Sequence, residues 1–148
     1  MTDTEKLNAF FVDCFNSILT REERALEPLF GGRLSLKEIH VIEAIYQAKE
    51  TGENNFSSVA KALGVTLGTL TASFSRLQQK GLLYKVRGEN DKRVYYIEPT
   101  EKSEKINDAH KKFHRKMVEG IADSLSNEEL NNLVGSLKTL SKFFLSKE

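Results

Sequence analysis

The 148-residue sequence predicts a single, mainly α-helical domain that carries one small β-hairpin. Two observations lead to this fold class. Over most of the chain, apolar residues recur at spacings of three and four, as they do along one face of an α-helix. Between residues 82 and 97 this period gives way to two β-prone runs that bracket a polar, turn-rich segment.

The first predicted helix spans about residues 4–27. Pro28 and the glycines at 31 and 32 end it, and a capping box at residues 35–38 starts a second helix that continues towards Lys49. The apolar stripe of the first helix comprises Leu7, Phe10, Phe11, Cys14, Phe15, Ile18 and Leu19.

Two short helices follow the loop at residues 51–55. Asn55 caps the first, which Gly64 closes, and Thr66 caps the second, which Gly81 stops. Helices joined so tightly form a helix-turn-helix, and the hairpin after them would be its wing. The predicted architecture is therefore a winged helix-turn-helix over about residues 35–98, the winged lobe. The inward stripe of its second short helix is predicted to be Leu67, Leu70, Phe74 and Leu77.

Two long amphipathic helices fill the C-terminal third, and a capping box at residues 126–129 starts the second of them. A small winged lobe needs neither these helices nor the first one. The three helices have too few partners within the chain to bury their apolar stripes. We therefore expect segments 4–27 and 100–146 to pair with a second copy in a C₂ homodimer.

The net charge of +1 hides an uneven distribution. Residues 1–55 carry a net charge of −4, whereas residues 56–97 hold seven basic and two acidic side chains, a net charge of +5. A basic middle segment is expected of a lobe that binds a polyanion, although a solvated surface explains the charge alone equally well.

Several classes of protein are excluded by what the sequence lacks. No apolar run approaches the roughly 20 residues of a membrane span, and the N-terminus lacks the features of a secretory signal, so we expect a cytoplasmic protein with no membrane partner. A single cysteine, Cys14, allows no disulfide framework, and its place on an apolar stripe is typical of a small buried hydrophobic residue. The sequence contains no recognisable catalytic triad or phosphate-binding loop, which argues against an enzyme.

These features resemble the MarR family of dimeric winged-helix transcription regulators, over essentially the whole chain. The resemblance lies in SSVAKALGVT at residues 57–66, LQQKGL at residues 77–82 and the wing signature Asp91-x-Arg93 followed by Thr100. Pro99 replaces a usual leucine and Ser103 a common glycine, which leaves the start of the fifth helix open. The resemblance implies a dimer that binds double-stranded DNA. A winged-helix module that binds protein without DNA is the remaining alternative.

Residues 65–69 and 110–119 are most similar to the FabT type, the fatty-acid-synthesis repressors of low-GC Gram-positive bacteria. This similarity implies a repressor of fatty-acid biosynthesis genes whose corepressor is an acyl chain carried on acyl carrier protein. The phenylalanine-rich stripes then either pack the core and dimer or line an acyl tunnel. A basic strip could meet the acidic carrier protein or the DNA flank, or it could be a solvated face; it comprises Lys111, Lys112, Arg115 and Lys116.

The predicted recognition helix, residues 66–80, carries the candidate base contacts. On a helical wheel, the face opposite its apolar stripe is small and polar, which suits a helix lying deep in a major groove. Arg76 is the candidate for guanine readout or phosphate clamping. The predicted DNA contacts of this helix are Thr66, Gly68, Thr69, Thr71, Ala72, Ser73, Ser75 and Arg76.

The wing, residues 87–93, carries the candidate minor-groove contacts. Arg93, assisted by Lys92, is expected on the minor groove or its phosphates, with Lys85 and Arg87 on the DNA backbone. Asp91 would repel phosphate. The family resemblance implies that it orients Arg93 through a charge-assisted hydrogen bond.

Histidine residues suggest a second kind of site. His110 and His114 stand four residues apart on one predicted helix, a spacing that can chelate a metal. In the zinc-responsive AdcR and ZitR branch of the MarR family, one site aligns with Glu22, His40, His110 and His114. That resemblance implies zinc or another divalent metal; the alternative is a set of satisfied polar residues. The second zinc site of that branch is not retained, because its positions hold Pro28, Ile39 and Ala109.

Overall fold

The structure, a computed structural model, describes residues 1–146. It contains α1 (Asp3–Leu26), α2 (Leu36–Glu50), α3 (Phe56–Leu63), α4 (Leu67–Gln79), β1 (Leu83–Arg87), β2 (Tyr95–Pro99), α5 (Glu101–Ser124) and α6 (Asn127–Ser146). A 3₁₀ turn, Glu27–Phe30, follows α1. The mainly helical fold with a two-stranded antiparallel wing is confirmed.

The chain divides into two compact units, of which the first covers residues 1–113 and the second begins at His114. The first unit holds α1 to α4, the hairpin and the first half of α5. The second holds the rest of α5 and α6. Within residues 1–146, none of the helices is long and apolar enough to span a lipid bilayer.

Local hydrogen bonds set the helix starts that the sequence predicts. Ser35 and Glu38 form a capping box at the start of α2, with backbone to side-chain bonds of 3.1 and 3.2 Å. Asn55 and Thr66 cap α3 and α4, because each side-chain oxygen accepts a bond from a backbone N–H three residues later. Gly64, in the left-handed region at φ 68°, ends α3 and lets the chain turn directly into α4.

The first unit has one hydrophobic core, to which α1 to α5 and the hairpin contribute. Ile42 and Ile45 of α2, Val59 of α3, Leu77 of α4 and Ile97 of β2 are each fully buried within it. Burying a side chain of this size contributes about 1.5–3 kcal/mol. The first unit therefore completes its core within one chain.

The hairpin is fastened to the helical part of the lobe at its base. β1 and β2 pair with Leu83 opposite Pro99 and Arg87 opposite Tyr95. The Ile97 N–H donates to the Asn54 carbonyl oxygen at 2.8 Å, and the buried Asn54 amide donates back to the Ile97 carbonyl oxygen at 2.9 Å. These reciprocal bonds fix where the wing leaves the lobe.

α1 and α6 expose much of their apolar surface within one chain. Phe10 and Phe15 of α1 are 66% and 64% exposed, and Phe144 of α6 is 63% exposed. Cys14 is exposed in the single chain as well, because the stripe that carries it is uncovered, so its expected burial would have to come from a second copy. Contiguous exposed apolar side chains of this kind mark an interaction surface.

Candidate nucleic-acid interface

α4 presents a small polar face away from the core. Leu70, Phe74 and Leu77 lie inward, each 3% exposed or less, as predicted. Short side chains elsewhere on the helix allow close approach of its backbone to another surface. Of the predicted contacts on this helix, Ser73 is half-buried and the exposed ones are Thr66, Gly68, Thr69, Thr71, Ala72, Ser75 and Arg76.

One residue of the predicted inward stripe faces outward. The prediction for Leu67 is wrong, because its side chain is 51% exposed. Leu67 is the first residue of α4, and the buried stripe begins one turn later at Leu70. Its side chain instead lines a groove together with Thr71 and part of the wing.

Arg76 lies along the exposed surface of α4. Its Nη2 donates a hydrogen bond to Ser73 Oγ at 3.2 Å. A guanidinium has five N–H donors, so this bond steadies the side chain and leaves donors for an acceptor outside the chain. The arrangement suits bidentate contact with a base edge or a phosphate.

The C-terminal end of α4 is tied to the start of α2. Lys80 Nζ donates to the Arg33 carbonyl oxygen and to Glu38 Oε2, both at 2.7 Å. Burial raises the pKa of Glu38, but hydrogen bonds from Lys80 and Ser35 outweigh it and hold the pKa below its ordinary value. The ionised pair fixes the recognition helix against α2.

In the wing, the Asp91 carboxylate accepts hydrogen bonds from Arg93, as the family resemblance implies. The Arg93 Nε and Nη2 donate to the two carboxylate oxygens at 3.0 and 3.1 Å, and the Arg93 N–H adds a bond of 3.0 Å. These bonds lower the pKa of Asp91 and raise that of Arg93. The turn before them requires Gly88, because a Cβ there would lie 2.6 Å from the Asp91 carbonyl oxygen.

Tyr95 contributes to the wing and was missed by sequence reasoning. The Lys85 Nζ lies 4.9 Å from the centroid of its ring, and the Arg87 Cζ lies 5.9 Å from it. Arg87 Nε also donates to the Lys92 carbonyl oxygen at 2.7 Å. Tyr95 could have been predicted from the register of the two strands, in which Tyr95 lies opposite Arg87.

A groove of about 570 Å³ separates α4 from the wing. Leu67 and Thr71 of α4 line one side, and Lys85, Arg93 and Tyr95 line the other. Residues at the start of α3 also line the groove. The groove therefore joins the predicted contacts of the recognition helix to those of the wing.

A histidine cluster lies elsewhere in the first unit. Glu22 Oε1 accepts hydrogen bonds from His40 Nε2 at 2.9 Å and from His110 Nε2 at 2.5 Å. One possible ligand atom from each of these three residues lies within 4.8 Å of the others. Three of the four predicted metal ligands thus come together. The fourth, His114, belongs to the second unit.

Two carboxylates flank the buried His110. Its Nδ1 pairs with Glu43, which sequence reasoning missed although Glu43 stands three residues after His40 on α2. Burial lowers the pKa of His110, but its bonds to Glu43 and Glu22 raise it above the ordinary value. Burial raises the pKa of Glu22, and its bonds to His40 and His110 bring it below the ordinary value. Together these bonds favour a charged His110 between two carboxylates.

Comparison with known proteins places the chain in a family. The family described as "Transcriptional regulator SarA/Rot" matches residues 32–110. Streptococcus pneumoniae FabT, in a crystal structure with DNA, is 36% identical with a TM-score of 0.89, and the match covers 99% of this chain and 100% of FabT. MepR of S. aureus, also in a DNA complex, is 20% identical with a TM-score of 0.76 over 96% and 98% of the two chains, which shows the shared fold.

A sequence relative gives the same assignment. The HTH-type transcriptional regulator YhjH of Bacillus subtilis is 27% identical over 105 residues, or 68% of this chain. The chain spans 57% of the length of YhjH. Because the SarA/Rot match covers more than half of the chain and the FabT match nearly all of it, the chain belongs to the SarA/Rot family of transcriptional regulators and has the MarR-like winged-helix fold. The prediction of a winged-helix transcriptional regulator is confirmed, and the family is one of regulators and not of enzymes, as the sequence analysis expects.

Proposed function

We propose that two copies of this chain form a repressor that reads a palindromic operator, with α4 in the major groove and residues 87–93 of the wing on the minor groove. The observation that carries the proposal is the polar, exposed face of α4 beside a wing whose Arg93 is held in place by Asp91. FabT, at 36% identity, was crystallised with DNA, which supports the same use of this surface.

The exposed apolar side chains of α1 and α6 support the dimer. The side chains of Phe15 and Phe144 are exposed to solvent in one chain, and a second copy would cover them. A two-fold dimer places its two recognition helices about one helical turn apart, so the half-sites should be centred roughly 34–36 Å apart.

Arg76 and Arg93 have different tasks in this proposal. Arg76 reads a base or clamps a phosphate in the major groove, whereas Arg93 adds charge at the minor groove. We expect Arg93→Ala to weaken binding to all duplexes alike and Arg76→Ala to weaken operator binding by a further, sequence-dependent factor of about tenfold.

The test is a titration of the full chain against an operator selected from a random duplex pool and against a random duplex, over a range of salt. Lys138→Ala on α6 is the matched control, since it removes an exposed cation outside the winged lobe. A shallow salt dependence for the wild type would contradict the DNA interface, and equal losses on both duplexes would contradict base reading by Arg76.

The regulated genes are proposed to be those of fatty-acid biosynthesis, with acyl-acyl carrier protein as corepressor. The likeness to FabT supports this, as do the exposed cations Lys111 and Lys112 of α5. Carrier protein loaded with a long acyl chain should tighten operator binding, while the unloaded carrier should not. Reversing the charge of both lysines should abolish this tightening by the loaded carrier protein. It should not weaken operator binding measured without carrier protein.

A second candidate function is regulation by zinc or another divalent metal. The observation in its favour is the convergence of Glu22, His40 and His110, a carboxylate and two imidazoles of the kind that bind zinc. Zinc should then raise the melting temperature of the wild type and change its operator affinity. His40→Ala should abolish both effects and Glu23→Gln, at an exposed neighbouring position, should abolish neither. If the histidines are only satisfied polar residues, zinc will change neither quantity in the wild type.

A further inference from the structure

An aromatic ring supports two cations of the wing. The Tyr95 ring lies 4.9 Å from the Lys85 ammonium nitrogen and 5.9 Å from the Arg87 guanidinium carbon. Both distances fall within the roughly 6 Å over which a cation is attracted to the face of an aromatic ring. Neither the wing signature nor the proposed DNA contacts include Tyr95.

The strand register explains why these three side chains meet. Arg87 is directly opposite Tyr95, and Lys85, two residues before Arg87, is its diagonal neighbour. Residues paired across an antiparallel ladder share one face of the sheet, and diagonal neighbours are within reach of long side chains. Tyr84, one residue from Lys85, lies on the opposite face.

The same ring lines the groove between α4 and the wing, together with Lys85 and Arg93. In duplex DNA the sugar-phosphate backbone is the ridge between the major and the minor groove. When a protein places one element in the major groove and another in the adjacent minor groove, the DNA backbone lies between those two elements. Lys85 and Tyr95 therefore lie where the proposed function requires a phosphodiester backbone.

The geometry points to Tyr95 as a positioning residue for DNA binding: its ring holds Lys85 and Arg87 so that their cations meet the phosphodiester backbone between recognition helix and wing. This inference rests on the proposed function. Lysine and arginine lose rotamer freedom when they bind a phosphate. A ring that restrains both side chains beforehand removes part of that loss, so Tyr95 strengthens binding without carrying any charge itself.

The first experiment compares Tyr95→Leu with Tyr95→Phe in operator titrations of the full chain. Tyr95→Leu removes the ring face and should weaken binding roughly fivefold, whereas Tyr95→Phe keeps it and should stay within about twofold of the wild type. Tyr84→Leu is the matched control, because it removes an exposed tyrosine from the other face of the hairpin and should leave affinity unchanged. Equal losses for Tyr95→Leu and Tyr95→Phe would overturn the inference.

A double-mutant cycle with Lys85→Met then tests the mechanism. The loss caused by Tyr95→Leu should shrink when Lys85 is already absent, and additive losses would overturn the inference. Should Tyr95→Leu fail to fold, Lys85→Met and Arg87→Met alone decide: each should lower the slope of log affinity against log salt by about one, and unchanged slopes would overturn it. A wild-type chain that binds no duplex above background would instead contradict the proposed function.

Discussion

The winged lobe and the two terminal helices differ in where their apolar side chains lie. In the lobe they converge on one core, in which Ile42 and Leu77 are fully buried. On α1 and α6 the phenylalanines Phe10 and Phe144 remain about two-thirds exposed. The core is therefore complete within a single chain, whereas the exposed faces of α1 and α6 are the ones that the proposed dimer would cover. Fold stability and dimer stability should respond to different substitutions.

The largest effect is expected from Phe15→Asp on the exposed stripe of α1. A carboxylate in the proposed interface would separate the copies, and operator affinity should fall by about 100-fold or more because the two half-sites are no longer bound together. Sedimentation and operator titration measure the two quantities. Asn16→Asp, at the neighbouring exposed position, is the control and should leave both unchanged. An unchanged mass for Phe15→Asp would contradict the assignment of α1 to the interface.

A substitution in the core should lower the stability of the fold without separating the two copies. Ile45→Ala, at a position with 0% exposure, should lower the free energy of unfolding by about 2–5 kcal/mol. Below its melting temperature the variant should still sediment as a dimer, since α1 and α6 are untouched. Gln47→Ala on the exposed side of α2 provides the reference and should change stability by no more than about 0.5 kcal/mol. Loss of the dimer at unchanged stability would contradict the separation of the two regions.

Glu38→Gln should have a smaller, pH-dependent effect on the lobe. Because the folded-state pKa of Glu38 lies below its ordinary value of 4.5, the stability that the Glu38 ion pair contributes is present above pH 4.5 and is lost as the pH falls through the lowered pKa. The variant should be less stable by about 1 kcal/mol at pH 7, discounted for the partial exposure of Lys80. Denaturant unfolding between pH 7 and 3 should show the gap closing on acidification. A gap that widens in acid would contradict the ion pair.

The smallest effect concerns Cys14, which shares the exposed stripe of α1 with Phe15. A dimer formed through α1 should slow its reaction with a neutral maleimide several-fold relative to the Phe15→Asp variant. Both proteins should react at the same rate in denaturant. Equal rates for the folded proteins would place Cys14 outside the interface.

Helix ends and helix faces were predictable because nearby residues determine them. Ser35, Asn55 and Thr66 cap helices through backbone groups only three residues away. The period of α4 correctly identified Leu70 as buried. It failed at Leu67 because a period gives the direction of a side chain but not whether another element covers it.

The same distinction applies to the candidate site. Asp91 and Arg93 are two residues apart, so their contact could be expected from the wing signature. The approach of Tyr95 to Lys85 depends on the register of two strands, and that of Glu43 to His110 depends on the packing of separate helices. Contacts between distant parts of the chain have no fixed spacing in the sequence.

The hairpin is anchored at one end. Asn54 and Ile97 fasten its base, whereas bonds at its tip, such as Gly88 N–H to the Val94 carbonyl oxygen at 2.8 Å, run within the hairpin itself. We expect a hairpin fastened in this way to be stiff at its base and compliant at its tip, where Arg93 lies. We expect that compliance to let the tip follow minor grooves of different width while α4 stays seated, so that operator variants are tolerated under the wing but not under the helix.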